Sequence, residues 1–221
     1  PDEPGRHGLT FLGFTTIAAG NNAVFGTLHD KPHAIVVVNP ASPVGYDVYV
    51  SYTLFNGNPG GAKFQSQLFV ARSTDGGITF TTDKINQSTN QNSGTWLVAS
   101  PSGDVSAFWR GFGTAPAIFV SKRLGPGSWT KPQSILDSAP FVPFDQGNIK
   151  VDSTSAGAVN ASELNISPRS NGFPSAAAAA DGTLLVVFQE CANPTTGAPL
   201  SCASGGSPRI MLTRSTDGGT T

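Results

Sequence analysis

The sequence predicts an all-β chain built from repeated antiparallel units, and three observations carry that reading. The stretch Ser73-Thr74-Asp75-Gly76-Gly77-Ile78-Thr79-Phe80 recurs as Ser215-Thr216-Asp217-Gly218-Gly219-Thr220-Thr221. In both places an apolar strand ending in arginine leads in, Phe69-Val70-Ala71-Arg72 and Met211-Leu212-Thr213-Arg214. A repeat of this kind sets the whole architecture. The composition agrees: 26 Gly, 17 Pro and 12% charged residues among 221 describe many short strands joined by turns. Helices carrying Lys and Glu on solvated faces would need more charge. Third, apolar runs of strand length alternate with Gly-, Pro- and Asp-bearing turns along the chain.

Taken in order, the first unit (about 30–85) has an inner strand His33–Val38, then Asp47–Phe55, Gln67–Ser73 and Ile78–Thr82. The second (about 92–136) repeats this as Thr95–Ala99, Asp104–Arg110 after a Ser102-Gly103 turn, and Ala117–Lys122. Its octapeptide has decayed to Arg123-Leu124-Gly125-Pro126-Gly127-Ser128-Trp129, without the aspartate but with glycine and a closing aromatic. The third (about 172–221) has Pro174–Ala180, an Asp181-Gly182 turn, Thr183–Glu190, a loop, and Arg209–Arg214. The run Ala176–Ala180 would suit a helix by propensity. Pro174 ahead of it and Asp181-Gly182 behind make it a strand. The inner strands are apolar on both faces, as strands packed between two neighbouring sheets should be. The polar segment 137–172 interrupts the rhythm and reads as a long loop insertion, the kind that tends to be functional.

Locally, the octapeptide is a hairpin turn. Asp75 is placed to accept backbone N–H groups just ahead of it, and Gly76-Gly77 supply positive φ. The pattern Ser-x-Asp-x-Gly-x-Thr-Phe resembles the Asp-box, or bacterial neuraminidase repeat, of sialidase-like β-propellers. The likeness extends to the segments around Asp30-Lys31-Pro32 and from Arg169 to Phe173-Pro174-Ser175. It implies a β-propeller of four-stranded antiparallel blades, about three of them, as one partial domain over 1–221. It also gives Ser73, Asp75, Gly77, Thr79, Phe80, Ser215, Asp217 and Gly219 a structural role on the rim. Six blades of about 45 residues need about 270. The ring would then be completed by remaining blades of a longer chain or of a partner subunit.

In sialidases proper, three arginines bind the substrate carboxylate, an Asp is the acid/base, and a Glu-activated Tyr is the nucleophile. Arginines suit that task because the planar guanidinium grips a carboxylate through two parallel bonds. This chain departs from the pattern: Lys31 stands where the family's Arg-Ile-Pro signature has arginine. Tyr46, Tyr49 and Tyr52 cluster on one early strand rather than a late blade. The expected ligand face is the channel mouth, lined by Asp30, Lys31, Arg110, Arg169 and Glu190, with segment 137–172 above it. A surface or inter-blade ion pair is the bland alternative for each of these charges. Trp109, Arg110 and Phe112 offer a sugar-stacking surface, with core packing as the alternative for Trp109.

Net charge is −1 with no basic run, which argues against a nucleic-acid partner. No stretch reaches the roughly 20 apolar residues of a membrane span. Cys191 and Cys202 bracket a Pro/Gly/Ser-rich loop, and a bridge between them would indicate an oxidising compartment; free thiols are the alternative. Sequons at Asn86, Asn160 and Asn165 fit a secreted protein. No metal motif is present: His7, His29 and His33 form no ligand pattern. Asp145, Asn148 and Asp152 offer calcium oxygens without a loop motif.

The functional expectation is a secreted propeller that recognises glycans or another extracellular partner. The alternatives are an exo-acting glycoside hydrolase of sialidase type, with catalytic residues largely outside this segment, and a structural surface or filament subunit.

Overall fold

The computed structural model describes residues 13–21, 27–56, 65–86, 92–111, 117–135, 173–198 and 206–219. These form eleven strands in three antiparallel sheets, with no helix among the described residues. The first sheet runs β1 (Thr27–Val38), β2 (Tyr46–Asn56), β3 (Gln65–Ser73), β4 (Thr81–Lys84). The second runs β5 (Asn92–Ala99), β6 (Val105–Gly111), β7 (Ala117–Arg123), β8 (Gln133–Ser134). The third is β9 (Ser175–Ala178), β10 (Leu184–Ala192), β11 (Ser207–Ser215), with β10 in the centre. Strands adjacent in sequence are adjacent in each sheet, as short hairpin connections require.

The registers match between the sheets position by position. Val48, Val105 and Leu184 stand opposite Ser73, Arg123 and Ser215, and opposite Val36, Ala99 and Ala178 on the other side. Ile85 N–H donates to the Leu68 carbonyl at 2.9 Å, and Ile135 N–H to the Ile118 carbonyl at 3.0 Å. The two fourth strands thus end on the same bond at the same register.

The sheets stack face to back. Ile35, Val37, Tyr49, Leu68 and Val70 of the first sheet pack on Leu97, Val105, Ala107 and Trp109 of the second. The other face of the second, Val98, Phe108, Ile118 and Val120, packs on Leu184, Val186, Phe188 and Met211 of the third. Strand β6 is therefore buried along its whole length. Each buried Leu, Ile or Val in these clusters contributes about 1.5–3 kcal/mol. Trp96 Nε1 on β5 ties the inner edge by donating to the Ala176 carbonyl of β9 at 2.9 Å. The two outermost faces are bare and still apolar. Val36 and Val38 are 65% and 79% exposed, and Ile210 and Leu212 are 71% and 62% exposed. By register, Ile210 and Leu212 match Ile118 and Val120, which the third sheet buries.

The turns explain where strands stop. Asp75 Oδ1 accepts the N–H groups of Ile78 (3.1 Å) and Thr79 (2.9 Å), and Oδ2 accepts the Thr79 hydroxyl at 2.6 Å. Ser73 Oγ accepts Gly77 N–H at 2.8 Å. The expected fourth strand Ile78–Thr82 is corrected for this reason: the carboxylate occupies the Ile78 and Thr79 amides, so pairing starts at Thr81. In the second unit, which lacks the aspartate, Asp104 from the turn before β6 accepts Gly125 N–H at 2.9 Å. Of the expected strand Pro174–Ala180, Ser175–Ala178 form β9; Ala179 and Ala180 enter the turn in which Gly182 N–H donates to the Ala179 carbonyl at 3.0 Å.

Those bonds hold the Asp75 carboxyl down, from 3.8 to about 2, the Thr79 hydroxyl contributing most. A carboxyl lowered by folding stabilises above its unfolded pKa and loses that contribution as the pH falls through its folded value. Asp75→Asn is therefore expected to lower Tm at pH 7 and to flatten the fall in Tm between pH 3.8 and about 2. Thermal melts across that range check it; a variant curve parallel to the parent's would remove Asp75 from the acid response.

Candidate functional site at the pole where the inner strands begin

The registers put the starts of β1, β5 and β9 at one end of the stack and the Asp75 and Asp217 turns at the other. At the first end β1 and β5 each carry a bulge, between Asp30 and His33 and between Ser93 and Trp96. Bulges re-aim side chains at sheet ends. In the first bulge Lys31 adopts φ 55°, the one non-glycine with positive φ among the described residues. Asp30 holds it there: Oδ1 accepts Lys31 N–H at 2.8 Å and Oδ2 pairs with the ammonium at 3.0 Å. That ammonium lies 5.9 Å from the centre of the Phe173 ring, just ahead of β9, within cation–π range.

Phe173 in turn lies on Gly94. A Cβ built on Gly94 would meet Phe173 Cδ1 at 2.0 Å, and Gly94 has φ 71°. Only glycine fits both the backbone and the ring. Behind this contact, Thr53 Oγ1 and Ser93 Oγ lie 3.3 Å apart and Asn92 N–H donates to Ser66 Oγ at 2.6 Å. This polar seam joins the first two sheets. His33 stacks on Trp96 with centroids 4.1 Å apart, and its Nδ1 accepts Leu97 N–H at 3.1 Å. Burial lowers the His33 pKa.

The expected site residues separate in this geometry. Asp30 and Lys31 are adjacent, partly exposed and paired with each other. Arg110, near the end of β6, is fully buried. Glu190 is buried opposite Arg209 in the β10–β11 register and accepts Arg209 Nε–H at 2.8 Å. Its carboxylate is thus engaged within the sheet. Arg169, Phe112, segment 137–172 with Asp145, Asn148 and Asp152, the sequons at Asn160 and Asn165, and His7 lie outside the described residues. So does Cys202, and the expected bridge from Cys191 with it.

Trp109 offers no stacking surface. It is 1% exposed, stacked on Phe119 at 5.9 Å, with Nε1 donating to Asn92 Oδ1 at 3.1 Å. Tyr49 and Tyr52 are buried, and burial pushes both phenols up, away from nucleophilic use. The side chain of Asn86 is turned inward: Oδ1 accepts Leu68 N–H at 2.8 Å and Nδ2 donates to the Ser66 carbonyl. Among the described residues, no group of three or more His, Cys, Asp or Glu could hold a metal ion. No helix among them is long and apolar enough to cross a membrane. Sequence reasoning placed Phe173 in a blade-opening segment without giving it a site role, and missed Gly94; the available signal was a glycine inside a strand, which marks a bulge or a close approach.

No family model matches this sequence, and no curated protein matches it either. Among solved structures, a protein of unknown function from Dyadobacter fermentans is similar, with a TM-score of 0.52 at 13% identity. The match covers 87% of this chain and 52% of that one, so this chain spans about half of its neighbour's length. A likeness this distant speaks for fold alone.

Proposed function

We propose that the three sheets are consecutive blades of a sialidase-like Asp-box β-propeller, and that the pole carrying Asp30, Lys31 and Phe173 recognises an anionic glycan outside the cell without cleaving it. The observation that carries this reading is the Lys31 bulge. A lysine held in left-handed backbone by its neighbour, over an aromatic ring, is strain of the kind that collects at ligand sites. The cation suits a sugar carboxylate, Asp30 accepts hydroxyls, and the ring face suits the apolar side of a pyranose. The two Ser-x-Asp-x-Gly turns at the opposite pole, and face-to-back stacking in one register, support the propeller. The bare outer faces suit further blades, from a longer chain or a partner subunit.

Against hydrolysis by the described residues stand the paired states of Asp30 and Glu190 and the raised phenols of Tyr49 and Tyr52. The test is titration of sialyllactose and of neutral lactose, followed by NMR or calorimetry, with a fluorogenic aryl sialoside as activity control. Binding of the acidic sugar alone, weakened about tenfold or more in Lys31→Ala, is expected. Equal binding of both sugars, or none, removes the pole as an anionic site. Turnover of the aryl sialoside would favour the glycosidase reading.

A further inference from the structure

We propose that His33 is a proton-operated latch: its neutral imidazole ties the inner edge of the second sheet to the first beneath Lys31, and protonation of the ring releases that tie. The latch governs whether this pole is assembled and is independent of what the pole holds.

Strands β5 and β9 are the inner edges of their sheets, so the backbone groups on their open sides need partners from outside the sheet. Side chains supply them. Leu97 of β5 is 1% exposed, and its N–H donates to His33 Nδ1 at 3.1 Å. The Ala176 carbonyl of β9 accepts Trp96 Nε1–H. This is one link made twice. Val36, Ala99 and Ala178 are equivalent by register, so His33 matches Trp96 and Leu97 matches Ala176. His33 and Trp96 also each follow a bulge. The two links differ in chemistry. An indole N–H donates at any pH, whereas an imidazole accepts at Nδ1 only while neutral, with its one proton on Nε2. Once the ring is protonated, Nδ1–H faces Leu97 N–H, donor against donor, and the buried amide has no water to turn to.

The groups around His33 do not hold a charge on it. The ring is half-buried. From β5 it meets the Trp96 ring and the Leu97 amide, and β5 carries no ionisable side chain. Opposite it on β2 is Ser51, whose hydroxyl donates to the Thr95 carbonyl at 3.2 Å. The titratable groups of β2 are Asp47, paired with Arg72 at the other pole, and the raised phenols of Tyr49 and Tyr52. On β1 itself, Asp30 and Lys31 pair with each other across the bulge, and His29 lies edge-on to Tyr52. Burial therefore sets the direction, lowering the His33 pKa from 6.5. A pKa lowered by folding gives stability that is present above 6.5 and lost as the pH falls through the folded value. The tie is whole at neutral pH and opens in mild acid, where Asp47 and Asp75, both lowered from 3.8, are still charged. The effect reaches the candidate site. Lys31 belongs to the first sheet, and the Phe173 ring it faces rests on Gly94 of the second. Parting the two edges takes the ammonium off the ring, while Trp96 keeps β5 on β9.

The test is an NMR titration of the His33 ring with amide-exchange protection of Leu97, from roughly pH 7.5 to 4.5. Leu97 protection is expected to fall about tenfold or more as the ring titrates. The Trp96 indole N–H should keep its protection throughout. His33→Asn carries an oxygen on Cγ where histidine carries Nδ1, and that oxygen accepts at any pH. It should hold Leu97 protection level across the range. The variant retains His29, so any acid effect of that residue would persist in it. Three results overturn the latch: a ring that titrates with Leu97 protection unchanged, a ring that stays neutral down to the lowest pH, or an Asn variant that loses protection in acid as the parent does. The parent titration decides the matter even if His33→Asn does not fold.

Discussion

Replacing Asp47 by alanine is expected to destabilise the protein by about 3 kcal/mol, the scale for breaking one side of a buried ion pair. Asp47 is 3% exposed and is the hub of the first sheet's turn end. Its Oδ2 accepts Arg72 Nε–H at 3.0 Å, Arg72 Nη2–H at 2.7 Å and Asn39 Nδ2–H at 3.0 Å, while Oδ1 takes the Ser42 hydroxyl. Removing the carboxylate strands Arg72, whose guanidinium also lies 5.9 Å from the Tyr49 ring. Burial on its own would raise the Asp47 pKa. The Ser42, Arg72 and Asn39 hydrogen bonds and the Arg72 charge outweigh it, and the net shift is downward from 3.8. The sign follows: the stabilisation is complete above about pH 4 and is lost as the pH falls through the lowered folded value. Urea melts at pH 7 and pH 3 check both parts. A full-sized loss at pH 7 that persists unchanged in strong acid would mean that packing, not charge, makes Asp47 matter.

The parts of this fold that the sequence reveals are those whose chemistry is local. The Asp75 turn is legible because its donors, acceptor and glycines lie within eight consecutive residues, and an aspartate followed by glycines has few other stable uses. The Glu190–Arg209 pair is half legible. Glu190 stands out as a carboxylate at the end of an apolar strand, but its partner follows only from the β10–β11 register. Strand β8 is not legible at all. Two polar residues, Gln133 and Ser134, become a strand because β7 offers them an edge, and the Ile135 bond that repeats Ile85 shares one side chain with it and nothing else. Asp104 is hidden for a similar reason, since it serves the Gly125 turn from a different hairpin.

At the candidate site the same division holds. Asp30 and Lys31 are neighbours in sequence and turn up as neighbours in space. Arg110 was expected to face a ligand on the strength of its place at a strand end. Strand β6 is covered on both faces by neighbouring sheets, and Arg110 is fully buried with it. The burial of a middle sheet depends on what stacks on it, which no local pattern records.

The contact that joins the three inner strands also gives the second large expected effect. Gly94→Ala is expected to destabilise by about 1–2 kcal/mol for forcing a side chain into left-handed backbone. A further 1–3 kcal/mol comes from driving a methyl into the Phe173 ring, because the two would stand 2.0 Å apart. Phe173→Ala alone removes the ring and carries its own packing cost. Combining the two isolates the cause. If the clash dominates, the double variant recovers the steric part of the loss and retains the backbone part plus the cost of the missing ring, so it loses less than the sum of the two single variants, as residues in contact should. If the double variant loses the sum of both, the ring does not rest on Gly94 and the seat of Phe173 beneath Lys31 is wrong. The same pair of variants also bears on recognition. With the ring displaced, the Lys31 ammonium loses its aromatic neighbour 5.9 Å away, so Phe173→Ala should weaken acidic-sugar binding while leaving the Asp75 and Asp217 turns, at the opposite pole, undisturbed.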